Sequence, residues 1–134
     1  MLLLDTNILL ELLLDQEHAD EVEKLLRTAS KGTLFVSDFS VYSIGIILLH
    51  RGLHEVFVKA MDDLVFSGVI GLLRAEPGEF RVVARISKSC KLDFDDAYQR
   101  VVADRNNLTL VSFDSDFDRT KSGRKTPAQV LSAS

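Results

Sequence analysis

Three apolar runs in this chain end in acids, and carboxylates at the ends of strands are the residues here most able to do chemistry. Asp5 follows "LLL", Asp38 follows "TLFVS" (Thr33 to Ser37), and Asp114, Asp116 and Asp118 follow "LTLVSF" (Leu108 to Phe113). The stretch "LDFDD" adds Asp93, Asp95 and Asp96. Carboxylates forced together repel and raise one another's pKa, so such a gathering makes sense when a divalent cation compensates it. An all-oxygen donor set points to Mg²⁺ or Mn²⁺ rather than zinc. Each acid also has a plainer role to weigh. Asp38 and Asp93 can cap helices, and acids in a first helical turn complement the helix dipole. Asp116 and Asp118 can be solvated turn residues. Asp5 and Asp114 differ, because each follows a buried strand, where a lone carboxylate is costly unless paired or metal-bound.

Other chemistries find little support. His50 and His54 are four apart, but Gly52 between them breaks the helix that would align them on a metal, and His18 falls in the first turn of a surface helix. No Ser/His/Asp order, glycine-rich phosphate loop or CxxC pair is present. Cys90 is the only cysteine, which excludes an intramolecular disulfide and fits a reducing compartment and a small buried hydrophobe.

The elements that must position the acids can be read from periodicity. "LLL" suits a short buried strand, and the pattern turns helical from Ile8. A second helix is expected to start near Asp15 and Glu17, with Val22, Leu25, Leu26 and Ala29 on one face until Gly32. Thr33 to Ser37 reads as a strand, followed by an apolar helix capped by Ser37 or Asp38 and running to Gly52. A helix from about His54 to Phe66, a strand at Val69 to Leu73 weakened by Gly71, and a helix from Pro77 to about Ser89 come next. A helix capped by Asp93 carries Ala97, Val101 and Val102 inward, Leu108 to Phe113 forms the last strand, and Thr126 with Pro127 starts a short terminal helix. Strands separated by helices imply crossovers, so the expected architecture is a three-layer α/β/α sandwich with a central parallel sheet. Function in such folds gathers outside the carboxyl ends of the strands, where these acids fall.

The bulk numbers agree with one domain over residues 1–134, large enough to bury a core without staples. The formal net charge of -4 argues against a broad surface coating polyphosphate, though not against a local basic rim. No apolar run approaches the roughly 18 residues of a membrane span, and the N-terminus lacks the marks of a signal peptide, so no membrane partner and a cytoplasmic location are expected.

Taken together, "LLLDTNILLELL", "LDFDDAYQ" and "LTLVSFDSDFDR" resemble the PIN-domain family, small metal-dependent ribonucleases that include VapC-type toxins. Asp5, Thr6 and Asn7 match its opening D-[ST]-[NS] turn. Asp96 before Ala97 matches the acid entering its later helix, and Ser112, Asp114, Asp116 and Phe117 match its last turn. The chain departs from the family in one place. Laying the pattern S-x-x-[ST]-x-x-E on "SDFSVYSIGII" puts Ser43 where a glutamate is usual. A neutral hydroxyl is a poor ligand for a hard cation, and Asp38 is the acid that could compensate.

The resemblance implies that Asp5, Asp96 and Asp114, assisted by Asp116, hold one or two Mg²⁺ or Mn²⁺ ions that activate water against an RNA phosphodiester. Thr6, Asn7 and Ser112 would orient those carboxylates. Arg100, Arg119, Lys121, Arg124 and Lys125 are the candidates for a basic rim on RNA. It further implies a small antitoxin as partner and a homodimer, for which Phe39, Tyr42 and Ile46 to Leu49 offer apolar surface if they are not spent on the core. A module of this family that binds RNA or a protein without cleaving is the alternative that Ser43 suggests. A haloacid-dehalogenase-type phosphatase would need a second acid where Asn7 stands.

Overall fold

The computed structural model describes residues 1–133. Four short strands, β1 (Leu2–Leu4), β2 (Leu34–Ser37), β3 (Gly71–Leu73) and β4 (Thr109–Val111), form one sheet in the order β3-β2-β1-β4. Every pairing is parallel, with Leu3 opposite Phe35 and Leu110, and Phe35 opposite Gly71. Side chains alternate across a strand, so successive residues feed opposite layers. Leu3, Phe35 and Leu110 face one apolar cluster, while Leu4, Leu34, Val36 and Val111 face the other.

The helices divide accordingly. One face is covered by α1 (Thr6–Leu13), α2 (Ala19–Thr28), α3 (Asp38–His50) and the short α7 (Pro127–Ser132), with Ile8, Val22, Ile44 and Leu48 fully buried there. Between α3 and β3 lies α4 (His54–Ala60), which widens into a π-helical turn at Met61–Phe66. The opposite face is covered by α5 (Phe80–Cys90) and α6 (Phe94–Arg105), which bury Val83, Ala97, Val101 and Val102. This is the expected three-layer α/β/α sandwich.

The differences from the sequence reading sit at boundaries and have local causes. α2 starts at Ala19 rather than near Asp15, because Asp15 takes a left-handed conformation (φ 50°) and Glu11 accepts a hydrogen bond from the His18 N–H at 2.8 Å, holding the intervening turn. The Pro77 start is a 3₁₀ turn, Pro77–Glu79, closed by a capping box between Glu76 and Glu79 before α5 begins. β3 is shorter than expected. Its Gly71 has a packing reason, since a Cβ there would lie 2.7 Å from Cδ1 of Phe35 on the neighbouring strand. α3 is apolar on nearly every side, yet Tyr42, Ile46 and Leu49 remain exposed. Cys90 is a partly buried free thiol against the α5/α6 core.

Strand order decides where the site can be. From β1 the chain moves through α1 and α2 to β2 and then β3 on one side, and returns through α5 and α6 to β4 on the other. The direction of winding therefore reverses between β1 and β4. A crevice opens at the carboxyl ends of the two strands at such a switch point, and Asp5 and Ser112 to Asp114 lie there.

Candidate metal centre

Asp5 follows β1 directly and caps α1 with extended backbone, its Oδ1 accepting from the Thr6 N–H at 2.8 Å. The side chain is 6 % exposed, and its burial is compensated by neutral donors. Ser112 Oγ donates to Oδ2 at 2.7 Å, and Gln99 Nε2 donates to Oδ1 at 3.1 Å. A carboxylate offers roughly four lone-pair sites. Three are used here, leaving one on Oδ2. Burial pushes the Asp5 carboxyl above its ordinary value despite the three bonds, with the nearby Asp114 charge adding to the rise.

Ser112 joins the two strand ends. Besides donating to Asp5 it accepts from Asn7 Nδ2 at 3.2 Å and from the Asp114 N–H at 2.9 Å, and Asn7 Oδ1 accepts from the Phe113 N–H at 3.3 Å. Thr6 Oγ1 donates to Ser40 Oγ at 3.0 Å, which also receives Gln99 Nε2 at 2.6 Å. Thr6, Asn7 and Ser112 are thus all in the network around Asp5. Gln99 and Ser40 were missed from the sequence. Gln99 is three residues after Asp96, hence on the same face of α6, and that spacing was the available signal.

Three carboxylates converge in front of Asp5. Oxygens of Asp96 from α6 and of Asp114 and Asp116 from the turn after β4 lie within 4.8 Å of one another. The turn is preset, since Asp114 Oδ1 accepts from the Asp116 N–H at 2.9 Å and begins the 3₁₀ segment Ser115–Arg119. Asp96 is pushed up to about 7, first by burial and then by repulsion from Asp95, Asp5, Asp114 and Asp116. Asp5, Asp95, Asp96 and Asp114 line a cavity of about 290 Å³ together with Phe39 and the half-buried Ser43. With carboxylate oxygens as the clustered donors, the set suits a hard divalent cation such as Mg²⁺ or Mn²⁺, whose charge would relieve the repulsion that raises Asp96.

Other sequence candidates lie elsewhere. Asp38 does not reach the carboxylate group, because its Oδ1 is held by the Phe39 N–H and by the Tyr98 hydroxyl at 2.7 Å, and Ser37 rather than Asp38 caps α3. Asp93 stands at the N-cap position of α6 without a side-chain capping bond. Arg100 is not a rim residue. Its side chain is 2 % exposed, with the guanidinium donating to Asp104, to Thr120 and to the Gly123 carbonyl, so it ties α6 to the C-terminal segment. Arg119 is half exposed but pairs with Asp116 at 3.1 Å. Arg124 is mostly buried, donating to the Ser112 carbonyl at 3.1 Å, with Nε 3.3 Å from Asp118. Lys121 and Lys125 are exposed. α3 ends at His50 and α4 begins at His54, on either side of the left-handed Gly52, so the two histidines do not share a helix.

Fold and site together define an α/β/α protein with a carboxylate cleft at the switch point of its parallel sheet. The family model of the PIN domain matches residues 2–123, and the chain belongs to that family. No curated protein matches it by sequence. Among solved structures it is similar to a toxin–antitoxin complex from Klebsiella pneumoniae, at 18% identity and TM-score 0.75 over 95% of this chain and 98% of that one. It is similar also to VapC20 of Mycobacterium tuberculosis, a sarcin–ricin-loop-cleaving toxin, at 17% identity and TM-score 0.74 over 88% and 93%. FitAcB from Neisseria gonorrhoeae aligns at 23% identity and TM-score 0.73 over 96% and 99%. No helix among the described residues is long and apolar enough to cross a membrane.

Proposed function

We propose that residues 1–134 form one PIN domain acting as a metal-dependent endoribonuclease, with Asp96, Asp114 and Asp116 holding Mg²⁺ or Mn²⁺ and Asp5 behind them offering its remaining lone pair. The observation that carries this reading is the convergence of Asp96, from α6, with the two acids of the turn after β4. A divalent cation held there supplies Lewis acidity toward a phosphodiester and its attacking water. The chain's own residues supply the placement. Ser112, Gln99 and the Thr6 N–H fix the Asp5 carboxylate, while Asn7 ties Ser112 and the Phe113 N–H to α1. Of the five rim candidates, Lys121 and Lys125 are exposed and form no ion pair among the described residues, which leaves them for RNA phosphates, whereas Arg119 is paired with Asp116.

In the same reading the protein is a cytoplasmic toxin whose cleft is covered by a small antitoxin, and it works as a homodimer. The first is supported by its likeness to a toxin–antitoxin complex, and the second by the exposed Tyr42, Ile46 and Leu49 on α3. A second reading rests on Ser43. The cavity wall carries a hydroxyl where the family resemblance implies a carboxylate, which favours a module that binds RNA or a protein without cutting.

The test is cleavage of a pool of single-stranded and structured RNA with Mn²⁺ or Mg²⁺, comparing the wild type with Asp96→Asn and Asp114→Asn, alongside direct titration of Mn²⁺. Metal-dependent cutting lost in both variants is the expected result. Mn²⁺ binding without cutting by the wild type would select the non-cleaving module.

A further inference from the structure

Four aromatic rings gather at one lip of the acidic cavity. Tyr98, 4 % exposed, is their pedestal, its hydroxyl donating to Asp38 Oδ1 at 2.7 Å and accepting from the Ala75 N–H at 2.9 Å. The rings of Phe39, Phe80 and Phe94 surround it with centroids 6.0, 6.1 and 6.0 Å away. Phe39 also walls the cavity of Asp5 and Asp96, and Phe94 meets it edge-on at 6.3 Å and 62°. Although packed in this way, Phe94 and Phe80 remain 53% and 44% exposed. Phe94 opens α6 two residues before Asp96, so an exposed ring and a clustered carboxylate share one helical turn.

We infer that Phe94, with Phe80 beyond it, is a stacking platform for an unpaired base of the RNA whose phosphate lies at the carboxylates, an inference that rests on the ribonuclease reading. A polynucleotide entering the cavity carries a flat π-system beside every phosphate, and aromatic side chains next to a phosphate-handling site hold such bases without regard to sequence. Tyr98 is fixed by its hydroxyl, and Phe39, Phe80 and Phe94 pack against its ring, so little ordering is needed on binding. A base paired in a duplex keeps its faces covered by its neighbours. The platform therefore selects unpaired segments.

The chain has no tryptophan, so Phe94→Trp creates a unique fluorescent reporter at the proposed contact. It is placed in an Asp114→Asn background to slow cleavage and mixed with Mn²⁺ and an oligoribonucleotide, either single-stranded or as a duplex of the same sequence. The expected result is saturable quenching by the single strand and much less by the duplex. In the otherwise unaltered protein, Phe94→Ala should raise the KM for cleavage of the single strand about tenfold, and Phe94→Tyr should leave it near that of the wild type. Thermal unfolding of each variant separates loss of binding from loss of fold. Normal cleavage by the wild type with no quenching, and Phe94→Ala unchanged, would overturn the platform and leave the ribonuclease reading standing. No RNA cleaved or bound by the wild type would overturn both. A changed oligomeric state in Phe94→Ala with unchanged KM would also overturn the platform, assigning the ring to a protein contact.

Discussion

Replacing Ser112 by alanine is the sharpest probe of how the acidic centre is held together. The side chain is fully buried, donates to a buried carboxylate at 2.7 Å and accepts from Asn7 Nδ2 and the Asp114 N–H. A hydrogen bond to a charged group contributes about 1.5–3 kcal/mol. The two donors left behind belong to partly exposed residues, and the Asn7 amide can turn to water, so they add less than fully buried orphans would. Asp5 can also protonate, its pKa being already raised by burial, and this limits the loss. The expected destabilisation of Ser112→Ala at neutral pH is about 2–3 kcal/mol, or a Tm lowered by roughly 6–10 °C for a chain of this size. Urea unfolding of wild type, Ser112→Ala, Asp5→Asn and the double variant gives the coupling between the two side chains. It should be at least about 1 kcal/mol, and Ser112→Ala should cost less at acid pH, where Asp5 is neutral. A loss under about 0.5 kcal/mol, or one that Asp5→Asn leaves unaltered, would refute the reasoning that the hydroxyl acts through the carboxylate.

Three further outcomes follow from the geometry. Asp96 sits at about 7 against an ordinary 3.8, so the metal-free fold has its full stability contribution below the ordinary value and loses it as pH rises through about 7. Wild type should therefore gain on Asp96→Asn in stability as the pH is lowered from 8 to 5, whereas Mn²⁺ affinity should rise as the pH is raised from 5 to 8; parallel stability curves for the two proteins would refute this. Arg100→Met should cost about 2 kcal/mol by leaving the Gly123 carbonyl without its guanidinium donor, Thr120 Oγ1 keeping the Gly123 N–H, whereas Lys121→Ala should change stability by under about 0.5 kcal/mol, both read by urea unfolding. Gly71→Ala should lower stability by about 1–3 kcal/mol, because the new Cβ meets the Phe35 ring at 2.7 Å, and Phe35→Leu in the same chain should recover part of it; equal Tm values for wild type and Gly71→Ala would exclude the clash.

Much of this fold is local and was legible in the residues. "LLL" and "LTLVSF" are apolar runs closed by acids, Gly52 stops one helix, and Thr126 with Pro127 starts another, because strand burial, caps and left-handed turns depend on neighbours in the chain. Where local signals compete, boundaries moved. Asp15 and Glu17 have the right charges for a helix start, but the left-handed turn at Asp15 delays it to Ala19. The D-T-N turn and the S-x-D-x-D-F turn likewise carried their own identity, since each is built from hydrogen bonds within a few residues.

What the residue order alone determined was therefore the inventory: three acid-tipped strand ends, an acid-rich helix start, and a serine at position 43. The tertiary structure decided which of them meet. The strand order β3-β2-β1-β4 reverses the winding at β1 and β4, and that reversal brings Asp96 against Asp114 and Asp116 while turning Asp38 toward Tyr98. It also buries Arg100 under Thr120 and Gly123 and sets Gln99 on Asp5. These outcomes depend on pairings between distant segments, whose closure is governed by packing and sheet topology. Periodicity along the chain carries no record of them.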